Sequence, residues 1–205
     1  ERDVLVEALA TAGRAATSRA ALPVLSGLRI GLTGDRLRVT GSDLDLTITK
    51  QLQVSGAGDG VAVLPAKLAV DIVRNLEPGA VEVDTTGDRP SIRAGRSEFF
   101  LNAIPADEYP NPHEPDGESV TLQSGHLAEG LRQVVGAASS DESRPILTGV
   151  LLAAEEAGLR LVSTDSYRLA YRDLPGTSLM ERGQQVLVPS RSLQELTRAL
   201  GDDDE

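Results

Sequence analysis

The apolar positions at the start of the chain recur at helical spacing. Leu5, Ala8, Leu9 and Ala12 would share one side of a helix, and the pattern predicts that this helix ends near Gly13. The apolar period then changes to two, the spacing of a strand with one buried side. We therefore predict an opening helix followed by strands.

Alternating apolar residues predict the strands that follow. Two strands flank the turn TGD (33–35), and a longer strand carries apolar residues on one side from Leu44 to Val54. The loop SGAGDG (55–60) precedes a strand at 61–64 and not a helix, so it offers no helix N-terminus to a phosphate. We interpret it as a hairpin turn.

A second helix is predicted from Pro65, which a first helical turn tolerates, to the PG pair at 78–79. Three short strands at 80–84, 91–94 and 97–104 then complete the unit. Two amphipathic helices packed on antiparallel sheets define the predicted fold class, α+β. The apolar stripe of the second helix comprises Leu68, Ala69, Ile72, Val73 and Leu76.

The chain contains this unit twice. LPVLSGLRI (22–30) matches RPILTGVLL (144–152) at an offset of 145 − 23 = 122, and PAKLAVDIVRNL (65–76) matches PSRSLQELTRAL (189–200) at 189 − 65 = 124. We predict two domains, 1–113 and 114–205, joined by the Pro-rich and acidic stretch 104–118. The second copy stops at GDDDE (201–205), before counterparts of the closing strands, so we expect that domain to be incomplete.

The composition narrows the function classes only weakly. The net charge of −11 argues against nucleic-acid binding, although a total charge does not exclude one basic surface. The absence of cysteine excludes disulfides and thiolate chemistry and fits a cytoplasmic protein. No apolar run approaches the roughly 18 residues of a membrane span, so no membrane partner is expected.

Carboxylates are the first candidates for catalysis. Asp43 and Asp45 would share a strand face at the spacing of a metal-dependent nuclease, with Asp165 as a third member. Asp43 and Asp165 nevertheless occupy equivalent repeat positions before strands, where Asp commonly bonds its own backbone in a turn. His113 and His126 are too isolated to bind a metal. We expect no catalytic residue, no metal and no cofactor.

Charged residues on the second helix of each unit follow a common pattern. Lys67, Asp71 and Arg74 lie opposite the apolar stripe, and the same charge pattern recurs 124 residues later in Arg191, Glu195 and Arg198. One interpretation is a solvated surface with intrahelical ion pairs, each worth about 0.3 kcal/mol. The other is a surface that meets an anionic partner in both domains, to which Arg19, Arg132 and Arg144 would add positive charge.

The two copies differ at STDSYRLAYR (163–172). Tyr167 and Arg168 stand where the first copy has Asp45 and Leu46. Tyr and Arg are enriched in binding hot spots, so this segment is a candidate binding site. An exposed tyrosine and arginine at a strand edge remain an equally good structural interpretation.

Several motifs in order resemble one family. LPVLSGL (22–28), GSDLDLTI (41–48), VLPAKLAVDIVRNL (63–76), GRSEFFLNAIPADEYP (95–110), DESRPILTGV (141–150), STDSYRLA (163–170) and VLVPSRSLQEL (186–196) resemble the bacterial DNA polymerase III beta subunit, the replicative sliding clamp. The resemblance implies an α+β clamp fold repeated three times per subunit, with the third domain absent here. Two such subunits would form a ring around duplex DNA, without catalysis or cofactor.

The resemblance also implies roles for individual residues. Residues expected to face DNA are Arg19, Lys67, Arg74, Arg132, Arg144, Arg191 and Arg198. A groove for partner peptides would comprise Leu147, Thr164, Ser166, Tyr167, Arg168 and Leu169. The dimer surface would comprise Leu68, Ile72, Phe99 and Leu101.

Partners follow from the same resemblance. They are double-stranded DNA without sequence preference, the DNA polymerase III alpha subunit, the clamp-loader delta subunit and other proteins with a clamp-binding motif. A homodimer is expected at full length, in the cytoplasm at the nucleoid. A carboxylate-dependent nuclease and a peptide-binding adaptor that ignores DNA are the rival interpretations.

Overall fold

A computed structural model describes residues 1–17, 22–87, 89–111 and 124–200. Contacts within the chain divide it into two units, Glu1–Pro115 and Asp116–Glu205, called unit 1 and unit 2 below. Unit 1 contains α1 (Arg2–Gly13), β1 (Gly27–Thr33), β2 (Arg36–Ser42), β3 (Thr47–Gln53), β4 (Gly60–Pro65), α2 (Ala66–Asn75), β5 (Glu82–Asp84), β6 (Ser91–Ala94) and β7 (Ser97–Phe100).

Unit 1 packs its two helices against an antiparallel sheet. The strand order is β3-β2-β1-β4, and a second sheet has the order β5-β6-β7. Both helices turn small or branched apolar residues toward the sheet, because these positions recur every three or four residues. The largest side chains of this core are at most 2% exposed, among them Leu9, Leu28, Leu64 and Ile92.

Unit 2 repeats the architecture of the first half of unit 1. It contains α3 (Ser124–Val134), β8 (Gly149–Glu155), β9 (Gly158–Thr164), β10 (Leu169–Pro175), β11 (Gln185–Pro189) and α4 (Ser190–Leu200). Its strand order, β10-β9-β8-β11, is that of β3-β2-β1-β4 in unit 1. Its core includes Leu131, Leu159 and Leu161. The predicted α+β class is confirmed.

The predicted long strand from Leu44 to Val54 is wrong in its first part. β3 begins at Thr47, because residues 43–46 form a turn in which Leu44 has a left-handed φ of 81°. The carboxylate of Asp43 accepts hydrogen bonds from the backbone N–H groups of Asp45 (3.2 Å) and Leu46 (2.8 Å). A side chain that satisfies two N–H groups in this way competes with strand pairing.

The predicted hairpin at 55–60 is also wrong. β3 and β4 lie at opposite edges of their sheet, so this loop crosses the β1–β2 turn instead of joining neighbours. Two reciprocal hydrogen bonds hold the crossing: Gly56 N donates to Asp35 Oδ1 (2.9 Å) and Gly34 N donates to Asp59 Oδ1 (2.7 Å).

Two predicted boundaries shift as well. Pro65 ends β4 and caps α2, which begins at Ala66. The last predicted strand of unit 1 ends at Phe100, not at 104, although Ile104 still forms an isolated bridge with Val63. None of the helices in the described ranges is long and apolar enough to cross a membrane.

Candidate functional site

The charged surface of α2 is open to solvent. Lys67, Asp71 and Arg74 are exposed, while Ala69 and Val73 on the opposite side are fully buried. Within the described part of the chain, the side chains of Lys67 and Arg74 form no ion pair. Arg2 fixes the end of the helix, because its Nη1 donates to the carbonyl oxygens of Arg74 (3.2 Å) and Leu76 (3.4 Å). This surface therefore presents cations available to a partner.

The cations of unit 2 are more engaged within their own helices. On α4, exposed Arg198 pairs with Glu195. On α3, Arg132 Nη2 lies 3.2 Å from Glu129 Oε2. Hydrogen bonds from Gln133 and then from Arg132 lower the pKa of Glu129. Intrahelical ion pairs, one of the two interpretations of these patterns, are thus present in unit 2, and they leave part of the positive charge exposed.

The loops before the repeated Pro motifs were expected to add Arg19 and Arg144. Arg19 lies outside the described residues. Arg144 donates from Nε to Asp141 Oδ2 (2.8 Å) and from Nη1 to Ser166 Oγ (3.3 Å). These bonds bring the loop before β8 to the turn between β9 and β10, so Arg144 lies beside the residues expected to bind peptides.

The β9–β10 turn is shaped by Asp165. Its Oδ1 accepts hydrogen bonds from the N–H groups of Tyr167 and Arg168, both at 2.9 Å, and these bonds, Arg168 first, lower the pKa of Asp165. Ser166 takes a left-handed φ of 80° at the position equivalent to Leu44 in unit 1, since 166 − 44 = 122. Arg168 is anchored by bonds to Gly136 O (2.7 Å) and Asp165 Oδ2 (3.0 Å).

Asp43 and Asp165 therefore perform the same structural task in the two units. Each carboxylate is held by backbone N–H groups of its own turn, and Asp43 and Asp45 do not share a strand face. Among the described residues there is no group of three or more Asp, Glu, His or Cys side chains arranged to hold a metal ion.

The turn presents apolar side chains to solvent. Tyr167 is 94% exposed and Leu169 is 64% exposed, while Leu147 and Thr164 are half-buried. The sequence interpretation missed two neighbours in this part of the fold, Ile146 (75% exposed), next to Leu147, and Tyr171 on β10. The sequence carries no signal for the exposure of Ile146, because its counterpart in the repeat, Val24, is equally apolar.

The repeat shows why this surface differs between the units. Ile146 corresponds to Val24 (146 − 24 = 122) and Leu187 to Val63 (187 − 63 = 124). Val24 and Val63 are buried in a small cluster with Tyr109, against which Ile104 packs. In the described part of unit 2, Ile146 and Leu187 remain exposed. The residues that cover Val24 and Val63 follow β7, and the described part of unit 2 contains no counterpart of them, so the exposure of Ile146 and Leu187 does not by itself mark a binding site.

The expected dimer surface needs one correction. Leu101 is 1% exposed and belongs to the core of unit 1, because its N–H donates to Pro90 O (2.8 Å) and the chain turns inward after β7. Phe99 (43%) and Leu68 (46%) are exposed, and Ile72 is half-buried. Phe100, which the sequence interpretation missed, is 54% exposed on β7, an edge strand of its sheet.

Two family profiles match the chain. That of the DNA polymerase III beta subunit, N-terminal domain, matches residues 1–113, and that of the central domain matches residues 121–205. The beta sliding clamp of Bacillus subtilis is 34% identical over 215 residues, covering 100% of this chain and 57% of the relative. That of Streptomyces coelicolor is 33% identical over 212 residues, covering 100% and 55%.

Solved structures of sliding clamps have the same fold as this chain. The crystal structure of the DNA polymerase sliding clamp from Bacillus subtilis superposes with a TM-score of 0.88 at 35% identity and covers 100% of this chain and 57% of that one. The sliding clamp from Pseudomonas aeruginosa bound to griselimycin gives 0.90 at 28% identity, covering 99% and 56%. The chain thus spans a little over half the length of these relatives. It belongs to the family of DNA polymerase III beta subunits, the bacterial sliding clamps, and carries the family's N-terminal and central domains.

Proposed function

We propose that this chain is part of a sliding clamp, a non-catalytic processivity factor that encircles duplex DNA and tethers the replicative polymerase. The observation that carries the proposal is the recurrence of exposed cations at equivalent positions of α2 and α4. Lys67 and Arg74 correspond to Arg191 and Arg198 at an offset of 124. Two copies of one basic helix surface in one chain suit a partner whose charge repeats along its length, as the phosphates of DNA do.

Such contacts would hold DNA without reading its sequence. Arg and Lys contacts to phosphates carry no base information, and a clamp that slides must not fix a register. Asp71 and Glu195 lie among these cations and reduce the local positive charge. The net charge of −11 would discourage DNA from binding elsewhere on the surface.

Unit 2 would bind the partner proteins. The exposed side chains of Tyr167 and Leu169, with Ile146 nearby in the fold, offer an apolar surface with polar anchors at Arg168 and Thr164. We propose that the DNA polymerase III alpha subunit, the clamp-loader delta subunit and other proteins with a clamp-binding motif insert short apolar peptides here. Aromatic and arginine side chains are the residues that most often dominate such interfaces.

Ring closure would use unit 1. Phe99 and Phe100 on the edge strand β7, with Leu68 and Ile72 on α2, supply exposed or half-buried apolar area. A subunit of the length of its relatives would then form a homodimer around DNA, in the cytoplasm at replication forks.

The decisive experiment uses the intact gene product that contains this chain. It is loaded with its clamp loader on a nicked circular plasmid, and its retention is compared before and after the circle is cut to a linear form. A clamp is retained on the circle and leaves the linear form within minutes, because topology and not affinity holds it. Equal retention on both forms would refute encirclement, and absence of retention together with intact peptide binding would favour the adaptor.

A further inference from the structure

A recess lies between the end of α1 and the first turns of α2 in unit 1. Its volume is about 380 Å³, within the range of small-molecule sites. Small and apolar residues line its interior, including Gly13 and Val70, where a Cβ added to Gly13 would lie 3.9 Å from Val70 Cγ2. The two helices therefore leave a space of ligand size.

The recess is strongly cationic. Arg14, Lys67 and Arg74 line it together with a single carboxylate, that of Asp71, for a formal charge of 3 − 1 = +2. α2 has no side-chain cap at its N-terminus, so the N–H groups of its first turn add partial positive charge at Ala66. Arg and Lys side chains of this kind bind phosphate and carboxylate oxygens.

Unit 2 lacks the residues that create this space. The counterparts of Ala10 and Gly13 at an offset of 122 are Arg132 and Val135, and the counterpart of Val70 at an offset of 124 is Gln194. Each replacement is larger, and the counterpart of Arg14 is Gly136. The basic surface of the helices is thus common to both units, whereas the combination of small interior residues with a third cation is specific to unit 1.

We propose that this recess binds a phosphate monoester of nucleotide size. A monoester carries about −1.5 to −2 charges at pH 7, which matches the charge of the lining better than a singly charged carboxylate or phosphodiester does. The apolar interior would contact the sugar or base. A free nucleotide and the 5′-phosphorylated end of a DNA strand present the same chemistry. The recess shares Lys67 and Arg74 with the proposed DNA-facing surface of α2, but binding of a monoester to unit 1 can be measured without a loaded clamp.

The test is a titration of the ¹⁵N-labelled chain with thymidine 5′-monophosphate, followed by amide shifts. We expect saturable shifts around Gly13, Ser26 and Lys67, and none with thymidine. Lys67→Gln, an exposed substitution that leaves the core intact, should weaken binding about tenfold, the loss of one charge-assisted hydrogen bond. Gly13→Val, which installs the residue of unit 2, should weaken it similarly by filling the recess. Arg36→Gln, an exposed cation of unit 1 that does not line the recess, is the matched control.

Competition distinguishes the two sources. Displacement of the nucleotide by a 5′-phosphorylated thymidine oligomer, but not by the unphosphorylated one, would identify a strand end as the ligand. Failure of both to displace it would identify a free nucleotide. Equal displacement by both oligomers, or unchanged affinity in Lys67→Gln and in folded Gly13→Val, would overturn the proposal. None of these results depends on retention on circular DNA.

Discussion

Gly41 lies where β2 passes the C-terminal end of α1. A Cβ atom at this position would stand 2.0 Å from the carbonyl oxygen of Ala12, whereas real Cβ contacts essentially never fall below 3.0 Å. Gly41→Ala thus requires a separation of about 3.0 − 2.0 = 1.0 Å between helix and strand. The carbonyl cannot simply turn away, since it accepts a hydrogen bond from Ala15 N (3.1 Å). Overpacking of this kind costs about 1–3 kcal/mol of unfolding free energy.

Urea unfolding followed by circular dichroism measures this loss. Gly31→Ala, on the adjacent strand β1, is the matched control, because its Cβ would meet only ordinary contacts at 3.6 Å and beyond. We expect Gly31→Ala to change stability by less than about 0.5 kcal/mol or to raise it slightly. Hydrogen exchange should locate the loss in Gly41→Ala to unit 1. Equal unfolding midpoints for the two variants would refute the predicted clash.

The remaining predictions concern the surfaces and turns. Arg168→Ala should weaken binding of a polymerase-derived peptide by about 1–2 kcal/mol in calorimetry, and an unchanged affinity would remove it from the groove. Arg74→Ala combined with Arg198→Ala should flatten the salt dependence of DNA binding by about one to two units of slope, and an identical slope would contradict contacts to phosphate. Leu44→Gly should stabilise unit 1 by about 0.5–1 kcal/mol in urea unfolding, because relief of the left-handed φ outweighs the entropic cost of glycine; a loss of stability would show that the leucine side chain matters more. The pKa of Asp165 is lowered in the folded chain by backbone hydrogen bonds, so its contribution to stability is present at neutral pH and lost as the pH falls below 3.8 through the folded pKa. Asp165→Asn should therefore reduce the acid dependence of unfolding, and an unaltered pH profile would count against this role.

The sequence predicts the elements well where one period runs undisturbed. Both helices of unit 1 and the strands around the TGD turn are confirmed, because each combines several apolar positions with a clear stop signal. The prediction fails at Leu44, where alternation continues through a turn. Only the carboxylate of Asp43 and the left-handed φ of Leu44 break the strand, and apolar spacing does not report either.

Strand pairing and surface exposure are harder to predict from the sequence than the positions of helices and strands. The loop at 55–60 resembles a hairpin because local composition does not reveal that β3 and β4 occupy opposite edges. The family resemblance places Phe99 and Leu101 on one dimer surface, but β7 ends at Phe100 and Leu101 is buried in the core. Both outcomes depend on contacts between residues distant in the chain, which local sequence composition and spacing do not report.

The internal repeat separates what the fold requires from what a partner requires. Gly41 has Ser163 as its counterpart, and the hydroxyl of Ser163 donates to the carbonyl of Val134, the counterpart of Ala12. The same strand thus meets the same helix end in both units, with a hydrogen bond in one and close backbone contact in the other. Val24 is 2% exposed and its counterpart Ile146 is 75% exposed, but Val24 is buried against Tyr109, which follows β7 and has no counterpart in the described part of unit 2. The difference at Tyr167 and Arg168 is of another kind, because Asp45 and Leu46 stand at the equivalent positions of unit 1 and both turns have the same backbone hydrogen bonds to an aspartate. Since the fold of the turn does not require this change of side chains, peptide binding is expected in unit 2 and not in unit 1.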